Sequence, residues 1–234
     1  MPGIHPTAIV EDGVELGADV EIGPYAVVRA GTVLGDGVTV GEHAVLGKRP
    51  KLGPKSVAKG GELPGLVVGA GSTVSTHAVV YAGTTLGERV IIGDQAFVRE
   101  RCSIGAQTVI GRGVTVENDT SIGEGCRVQS QSYITAKSVL EDDVFIAPCV
   151  VTTNDNFMGR TERRHALLKG PTIRRGARIG GAVCLCPGIE VGEEAFIGAG
   201  AVVTKDVPAG TVMVGVPARI LRDVPEDELR ANGG

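Results

Sequence analysis

The sequence lacks several features that mark common classes of protein. Among its 234 residues there is no Trp, and the aromatic residues are limited to three Tyr and four Phe. No stretch approaches the roughly twenty apolar residues of a membrane-spanning helix, and the N-terminus has no basic stretch followed by a long apolar run. The formal net charge of −4 argues against strong attraction to nucleic acid or to an anionic membrane surface. We therefore expect a cytoplasmic protein with no membrane insertion and no nucleic-acid partner.

Histidine and cysteine are too few and too scattered to indicate a common metal site. The four histidines stand at positions 5, 43, 77 and 165, and the five cysteines include no Cys-x-x-Cys pair. Cys102 and Cys126 occupy the small inward position of the repeat described below, where Cys acts as a compact apolar residue. We expect these two thiols to be buried and expect no metal, while the pattern assigns no role to Cys149, Cys184 and Cys186.

Glycine is abundant, with 36 residues, and the chain has a six-residue period. From residue 66 to residue 146 an aliphatic residue returns at every sixth position, fourteen times in all. The pattern occurs seven more times from Val10 to Leu46 and six more times from Ile173 to Val203. A period of six fits neither an α-helix nor a single alternating strand, but it suits a solenoid in which each hexad forms one short strand and one corner. The central aliphatic positions are Val68, Val74, Val80, Leu86, Ile92, Val98, Ile104, Ile110, Val116, Ile122, Val128, Ile134, Leu140 and Ile146.

Two polar segments interrupt the period and are predicted to be loops outside the solenoid. The first, about 47–65, contains the basic residues Lys48, Arg49, Lys51, Lys55 and Lys59, which suit either a solvated surface or the binding of phosphates. The second, about 153–170, reads TNDNFMGRTERRHALLKG, and loops that interrupt a rigid scaffold often carry function. We expect one elongated domain over residues 1–216 and a capping segment over 217–234, in which PEDELRA predicts a short helix.

These hexads resemble those of the hexapeptide-repeat family, whose members are left-handed parallel β-helices with three hexads per coil. The resemblance implies an all-β protein with two external loops and a short C-terminal helix. Twenty-seven hexads at three per coil predict about nine coils. The period itself does not give the hand of the coil, so the left-handed sense is implied by the resemblance alone.

The second half of the chain resembles acyl-CoA-dependent N-acetyltransferases that modify amino groups on nucleotide-linked sugars. The resemblance rests on VQSQSYITAKSVLEDDVFIAPCVVTTNDN at 128–156 and on the terminal strings GAGAVVTKDVP and VGVPAR. It implies acetyl-CoA or another acyl-CoA as co-substrate, a nucleotide-sugar acceptor, a homotrimer and a role in cell-surface polysaccharide biosynthesis. Two alternatives stay open: an O-acyltransferase acting on a sugar or another small acceptor, and a non-catalytic trimeric assembly module.

With eighteen residues per coil, residues eighteen apart lie above one another. Glu100, Asn118, Ala136 and Asn154 then share one column, and the next column alternates in charge through Arg101, Asp119, Lys137 and Asp155. We expect an ion-pair ladder in that second column. A third column, formed by His77, Gln95, Gly113, Gln131 and Cys149, is expected to face outward on the strand just before the corner from which the second loop leaves.

Acyl transfer to an amine requires a neutral amine near the thioester, a donor to the developing oxyanion and a route for the proton. Related sugar N-acyltransferases carry an Asn at the position of Gln131, which suggests that its amide orients the amine. The candidate catalytic residues are Gln131, Asn154, Asp155, His77, His165 and Glu100. The candidate substrate-binding residues are Asn118, Arg101, Lys48, Arg49 and Arg160.

The resemblance also implies where the coenzyme binds. Hexapeptide acyltransferases place the pantetheine arm along the coils near the C-terminal end, against backbone groups of small residues. By position this points to Gly180, Gly181, Ala199 and Gly200, with Lys205 and Arg219 meeting the phosphates.

Overall fold

The computed structural model describes residues 3–54, 56, 58 and 60–229, which form short β-strands joined by turns. The strands before the first loop are β1 (Gly3–Ile4), β2 (Ile9–Val10), β3 (Glu15–Leu16), β4 (Glu21–Ile22), β5 (Val27–Val28), β6 (Val33–Leu34), β7 (Thr39–Val40) and β8 (Val45–Lys48). The strands between the two loops are β9 (Val67–Val68), β10 (Thr73–Val74), β11 (Val79–Tyr81), β12 (Thr85–Leu86), β13 (Ile91–Ile92), β14 (Phe97–Val98), β15 (Ser103–Ile104), β16 (Val109–Ile110), β17 (Thr115–Val116), β18 (Ser121–Ile122), β19 (Arg127–Val128), β20 (Tyr133–Ile134), β21 (Val139–Leu140), β22 (Phe145–Ile146) and β23 (Val151–Thr152). After the second loop come β24 (Thr172–Ile173), β25 (Arg178–Ile179), β26 (Cys184–Leu185), β27 (Glu190–Val191), β28 (Phe196–Ile197), β29 (Val202–Val203), β30 (Thr211–Val214) and β31 (Arg219–Asp223).

Successive strands lie on three different faces of a prism, and every third strand pairs in parallel. Sheet 1 contains β1, β4 and β7 and continues to β31, sheet 2 runs from β2 to β29, and sheet 3 runs from β3 to β27. Val98 pairs with Val116, which pairs with Ile134, so one coil contains eighteen residues in this region. The expected left-handed parallel β-helix is confirmed. We call the turns between sheets 1 and 2 the 1–2 corner, and those between sheets 2 and 3 the 2–3 corner.

The hexad explains the interior of the prism. The aliphatic residue of each central hexad is buried, as Ile110 and Ile122 illustrate, and the smaller residue two positions earlier packs beside it. A hydroxyl at the small position also ties coils together: Thr108 Oγ1 accepts the Cys126 amide at 3.0 Å and donates to the Gly123 carbonyl at 2.7 Å. Turns of adjacent coils approach closely, since a Cβ added to Gly105 would lie 2.4 Å from the Gly123 carbonyl carbon. Only glycine, which has no Cβ, therefore fits at position 105.

The predicted count of nine coils is too low, because the three sheets contain twelve, ten and nine strands. The predicted hexads match all strands except β1, β23, β30 and β31. At β23 the inward residue is Thr152, which is fully buried and accepts the Thr135 amide at 2.7 Å, so a polar residue replaces the expected aliphatic one. Strands β30 and β31 form an antiparallel hairpin beyond the end of the period.

Both predicted loops are present, between β8 and β9 and between β23 and β24. The second loop contains a short helix that the sequence pattern did not predict, α1 (Arg164–Leu167). The predicted C-terminal helix is a single 3₁₀ turn, Glu226–Glu228, which follows Pro225, and its last two expected residues, 230 and 231, lie outside the described residues. Within the described part of the chain, no helix is long and apolar enough to cross a bilayer.

Candidate active site

Both loops leave the prism at the 2–3 corner and line a groove over the outer face of sheet 2. One part of this groove, of about 190 Å³, is lined by both loops, and a second part of about 310 Å³ lies under the first loop. We call the two parts together the loop groove. The first loop contributes Pro50, Lys51, Leu52, Gly53, Ser56 and Ala58, the second loop contributes Asn154 and Leu168, and the prism contributes Tyr81, Phe97, Arg99, Glu117, Asn118, Tyr133, Thr135, Ala136 and Lys137.

An ion-pair network forms one wall of the groove. Glu100 is fully buried and accepts two hydrogen bonds from Arg99, from Nε at 3.0 Å and Nη2 at 2.9 Å. The remaining terminal nitrogen of Arg99 donates to Glu117 at 3.0 Å. Because a buried carboxylate is tolerated when its charge is paired, Arg99 accounts for the burial of Glu100. Glu100 does not line the groove, whereas Arg99 and Glu117 line both of its parts.

The charge-alternating column is confirmed over part of its length. Arg101 pairs with Asp119 through two hydrogen bonds, at 2.6 and 3.2 Å, and Asn118 donates to the same carboxylate at 2.6 Å. Burial raises the pKa of Asp119, but the hydrogen bonds from Arg101 and Asn118 outweigh it and the net pKa is lowered. Asp155 does not continue the ladder, because it leaves the prism with the second loop and pairs with Arg164 at 3.3 Å.

Asp155 organises the second loop. Its carboxylate accepts the backbone amides of Phe157 at 2.8 Å and Gly159 at 2.9 Å in addition to the Arg164 contact. The hydrogen bond from Gly159 is the main cause that lowers the pKa of Asp155, followed by those from Phe157 and Arg164. A carboxylate held ionised in this way is a weak proton acceptor, so these contacts favour a structural role over the proposed role as a base.

The other candidates of the second loop lie apart from one another. Asn154 lines the loop groove and donates to the Ala136 carbonyl at 3.2 Å, in agreement with its predicted column. His165 lies on α1 and pairs with Glu162 at 3.3 Å, and Arg160 is exposed. Neither His165 nor Arg160 lines the groove.

The column of His77 and Gln131 is not where the sequence pattern placed it. Both residues lie in turns of the 1–2 corner with positive φ, 60° for His77 and 63° for Gln131, rather than on a strand. The second loop leaves from the 2–3 corner, so a strand of sheet 2 separates Gln131 from Asn154 and Asp155. The expectation that Gln131 lies beside Asn154 and Asp155 in one chain is therefore wrong. The six-residue pattern identifies residues that lie one coil apart, but it does not indicate which corner of the prism they occupy.

The neighbours of the two side chains also differ. His77 stacks on His43 with ring centroids 4.9 Å apart, and His43 stacks on Tyr25 at 5.0 Å. The Gln131 side chain lies over Gly113, where an added Cβ would be 2.7 Å from its amide nitrogen. His77 is thus one member of an exposed stack of rings, and the stack accounts for an aromatic residue at this position.

The expected coenzyme residues divide between two corners. Gly180, Gly181, Ala199 and Gly200 lie in turns of the 1–2 corner, whereas Lys205 follows β29 at the 2–3 corner. Arg219 begins β31, next to Ala218, whose amide donates to Val202 at 2.8 Å. Gly180 is required by packing alone, because a Cβ there would lie 2.6 Å from the Ala199 amide.

The basic residues of the first loop have different surroundings. Lys48 lies over the ring of Tyr81, 5.4 Å from its centroid, and Arg49 donates to the Leu63 carbonyl at 3.1 Å, which holds the loop to itself. Lys51 lines the groove, while Lys55 and Lys59 lie outside the described residues. Lys51 is thus a basic side chain in the part of the groove under the first loop, and Lys137 is one in the part lined by both loops.

The cysteines follow the sequence analysis where it made a prediction. Cys102 and Cys126 are buried, and burial raises the pKa of their thiols to about 12 and about 11. Neutral, buried thiols of this kind are unreactive. Over residues 3–54, 56, 58 and 60–229, His, Cys, Asp and Glu side chains do not form a group of three that could hold a metal ion.

Sequence reasoning missed Arg99 and Glu117, although a signal was present. Both belong to the column that precedes the Glu100 column, since 117 is eighteen more than 99, and they alternate in charge like Arg101 and Asp119. Tyr133 was not singled out, and Lys51 was named only as one of five basic residues of the first loop, because only the path of that loop across sheet 2 brings the two to one groove.

Comparison with known proteins agrees with the repeat. A family model described as bacterial transferase hexapeptide (six repeats) matches residues 13–48 and 101–136, and one described as the hexapeptide repeat of succinyl-transferase matches 173–205. Serine acetyltransferase from Buchnera aphidicola is 42% identical over 87 residues, which are 36% of this chain and 29% of that protein. Galactoside O-acetyltransferase from Escherichia coli is 36% identical over 86 residues, 36% of this chain and 42% of that protein. The matches thus span less than half of these relatives.

A solved structure matches almost the whole chain. UDP-N-acetylglucosamine acyltransferase from Campylobacter jejuni superposes with a TM-score of 0.61 and 18% identity, covering 97% of this chain and 81% of that one. At this identity the similarity concerns the fold. The fold and its corners define a β-helical prism built from hexapeptide repeats. The hexapeptide repeat described for bacterial transferases is thus present over residues 13–48, 101–136 and 173–205 of this chain.

Proposed function

We propose that this protein is an acyl-CoA-dependent N-acyltransferase that transfers an acetyl group to the amino group of a nucleotide-linked sugar. The acetyltransferases among its relatives support the general reaction. We base the choice of a nucleotide-linked amino sugar as acceptor on the residues that line the loop groove. It combines aromatic side chains, Tyr81 and Phe97, with the basic Lys51 and Lys137 and the acidic Glu117. A nucleotide-linked amino sugar offers matching chemistry, with rings, phosphates and an amine in one molecule.

The reaction we propose needs no covalent enzyme intermediate. The neutral amine attacks the thioester carbonyl, a C–N bond forms, the C–S bond breaks, and the amine proton ends on the coenzyme thiolate. The protein positions the two substrates and stabilises the oxyanion. Within one prism a strand of sheet 2 separates Gln131 from the loop groove, so we assign the oxyanion contact to Gln131 of a neighbouring prism in the proposed trimer. Its 1–2 corner column continues upward toward Gly181 and Gly200 through Cys149 and Ala182.

In this proposal the acyl-CoA lies along the upper 1–2 corner, with Gly180, Gly181, Ala199, Gly200 and Arg219 beside it. Lys205, at the next corner, would meet coenzyme phosphates only where the coenzyme crosses sheet 2. We further propose that the protein acts in the cytoplasm, in cell-surface polysaccharide biosynthesis.

We expect the protein to be a homotrimer. Sheet 2 presents exposed apolar residues on its outer face away from the loop groove, such as Ile9 and Val151, which a neighbouring prism would cover. Light scattering should give three times the 24.0 kDa chain mass, about 72 kDa. A stable 24 kDa species at micromolar concentration would contradict this assembly.

A screen of purified protein with acetyl-CoA tests the function. With a panel of nucleotide-linked amino sugars we expect acceptor-dependent release of the coenzyme thiol and a product heavier by one acetyl group. Thiol release no faster than hydrolysis without acceptor, across amino and hydroxyl acceptors, would refute the proposed activity.

O-acetylation is the second candidate, favoured by the similarity to galactoside O-acetyltransferase. The same screen separates the two reactions, because an O-acetyltransferase would acetylate nucleotide sugars and simple sugars that have no amine. Acetylation of those acceptors at rates equal to the amino sugars would replace the N-acyl assignment.

A further inference from the structure

Glu117 is the acidic side chain of the loop groove. It lines both parts of the groove, and its side chain is 20% exposed, so it is accessible to a ligand from either part. Of the residues that the structure describes, the other charged ones that line the groove are Lys51, Arg99 and Lys137, which are all basic. The described lining thus has one acidic side chain among basic ones.

Hydrogen bonds through Arg99 fix the position of the Glu117 carboxylate. Arg99 donates to its Oε2 at 3.0 Å, and Arg99 itself is held by the fork of hydrogen bonds to buried Glu100. Arg99 and Arg101 both lie within 4 Å of the Glu100 carboxylate, and Arg99 bridges Glu100 and Glu117. A carboxylate can accept about four hydrogen bonds, so Glu117 retains the capacity to bind a donor from the groove.

The surroundings of Glu117 strengthen its attraction for a cation. Tyr133 lies beside it, and burial followed by the negative charge of Glu117 raises the pKa of the Tyr133 hydroxyl. Phe97 and Tyr81, whose rings meet edge to face at 5.3 Å, form an apolar wall in the adjoining part of the groove. A carboxylate next to such a wall is poorly screened by water, and a charged donor bound to it forms a strong hydrogen bond.

We propose that Glu117 is the specificity-determining residue that binds the protonated amino group of the acceptor on entry, and that Glu100 and Arg99 position its carboxylate. The bound ammonium loses one proton to water before the neutral amine attacks the thioester. Lys51 and Lys137 then face the phosphates of the same acceptor. This inference rests on the proposed function and refines it, because it assigns the choice of an amine over a hydroxyl to one side chain. A hydroxyl can also donate a hydrogen bond to Glu117, so the preference for the amine rests on the positive charge of the ammonium, which makes its hydrogen bond to a carboxylate stronger.

A matched pair of ligands tests this assignment without requiring catalysis. UDP-glucosamine and UDP-glucose differ in the amine or hydroxyl at one carbon, and calorimetry measures the affinity of each for the intact protein. We expect the unchanged protein to bind UDP-glucosamine at least about tenfold more tightly, and Glu117→Gln to lose this preference. Glu190→Gln is the control, because Glu190 also pairs with an arginine, Arg174 at 2.9 Å, but lies on sheet 3 outside the groove. It should keep the preference.

Equal affinity for the two ligands in the unchanged protein, including no binding of either, would overturn the assignment. So would a preference that survives in Glu117→Gln. Thermal unfolding of both variants checks that the fold is retained. The proposed function fails separately, if the protein binds UDP-glucosamine with the expected preference but acetyl-CoA releases no thiol with any amino acceptor.

Discussion

Replacing Glu100 by alanine is expected to lower the free energy of unfolding by about 3–5 kcal/mol. The substitution removes the partner of two Arg99 nitrogens and leaves that guanidinium facing a buried cavity at the 2–3 corner. The loss of a buried partner costs more than the loss of a surface pair, because the Arg99 side chain is only 21% exposed and regains little hydration, although its contact with Glu117 remains. Chemical denaturation followed by circular dichroism measures the change.

Glu88→Ala is the control for this substitution. Glu88 is an exposed glutamate in a turn of the same prism, so its replacement changes the net charge equally and should shift the stability by no more than about 0.5 kcal/mol. Similar stability for the two variants would show that Glu100 and Arg99 are not mutually dependent in the folded protein.

Replacing Gln131 by alanine is expected to lower turnover by roughly ten- to a thousand-fold, the range for removing an orienting or oxyanion donor. Gln95→Ala is the matched control, since Gln95 lies in the same 1–2 corner column with nearly the same backbone, φ 60° against 63°. It should change turnover little. The measurement is kcat at saturating acyl-CoA and acceptor, with the oligomeric state checked for both variants.

The same set of variants tests the absence of a histidine base. His77→Ala should reduce kcat only a few-fold, and the rate should rise with pH as the free amine becomes available, without an inflection near pH 6.5. Equal losses in Gln131→Ala and Gln95→Ala would refute the role of Gln131. Abolished activity in His77→Ala or His165→Ala, with the trimer intact, would restore a histidine as the base.

Some contacts near the candidate site could be predicted from the sequence, because residues eighteen apart lie above one another wherever the repeat is uninterrupted. Arg101 and Asp119 meet as this spacing requires, and Asn154 reaches Ala136. The eighteen-residue spacing does not indicate which residues of different corners lie close to each other around the prism. Gln131 was therefore placed next to Asn154, although a strand of sheet 2 lies between them.

Long-range contacts of the loops could not be predicted from the period. The first loop lies along sheet 2, so that Ser56 lines the groove together with Tyr133, far along the chain. The sequence pattern placed Asp155 in the charge-alternating column, but the turn of the second loop uses its oxygens to bind two backbone amides. Such contacts depend on where an irregular chain folds back, which local periodicity does not encode.

The sequence by itself determined the coil: an aliphatic residue at every sixth position must face a narrow interior, and the small residues and glycines beside it allow adjacent coils to stack closely. Each of those choices is local, so it can be read one hexad at a time. The tertiary structure alone decided which polar residues share a surface. Glu117 becomes a groove residue because Arg99 and buried Glu100 hold it from one side and the first loop covers it from the other, and these partners meet only when separate coils and a loop pack together.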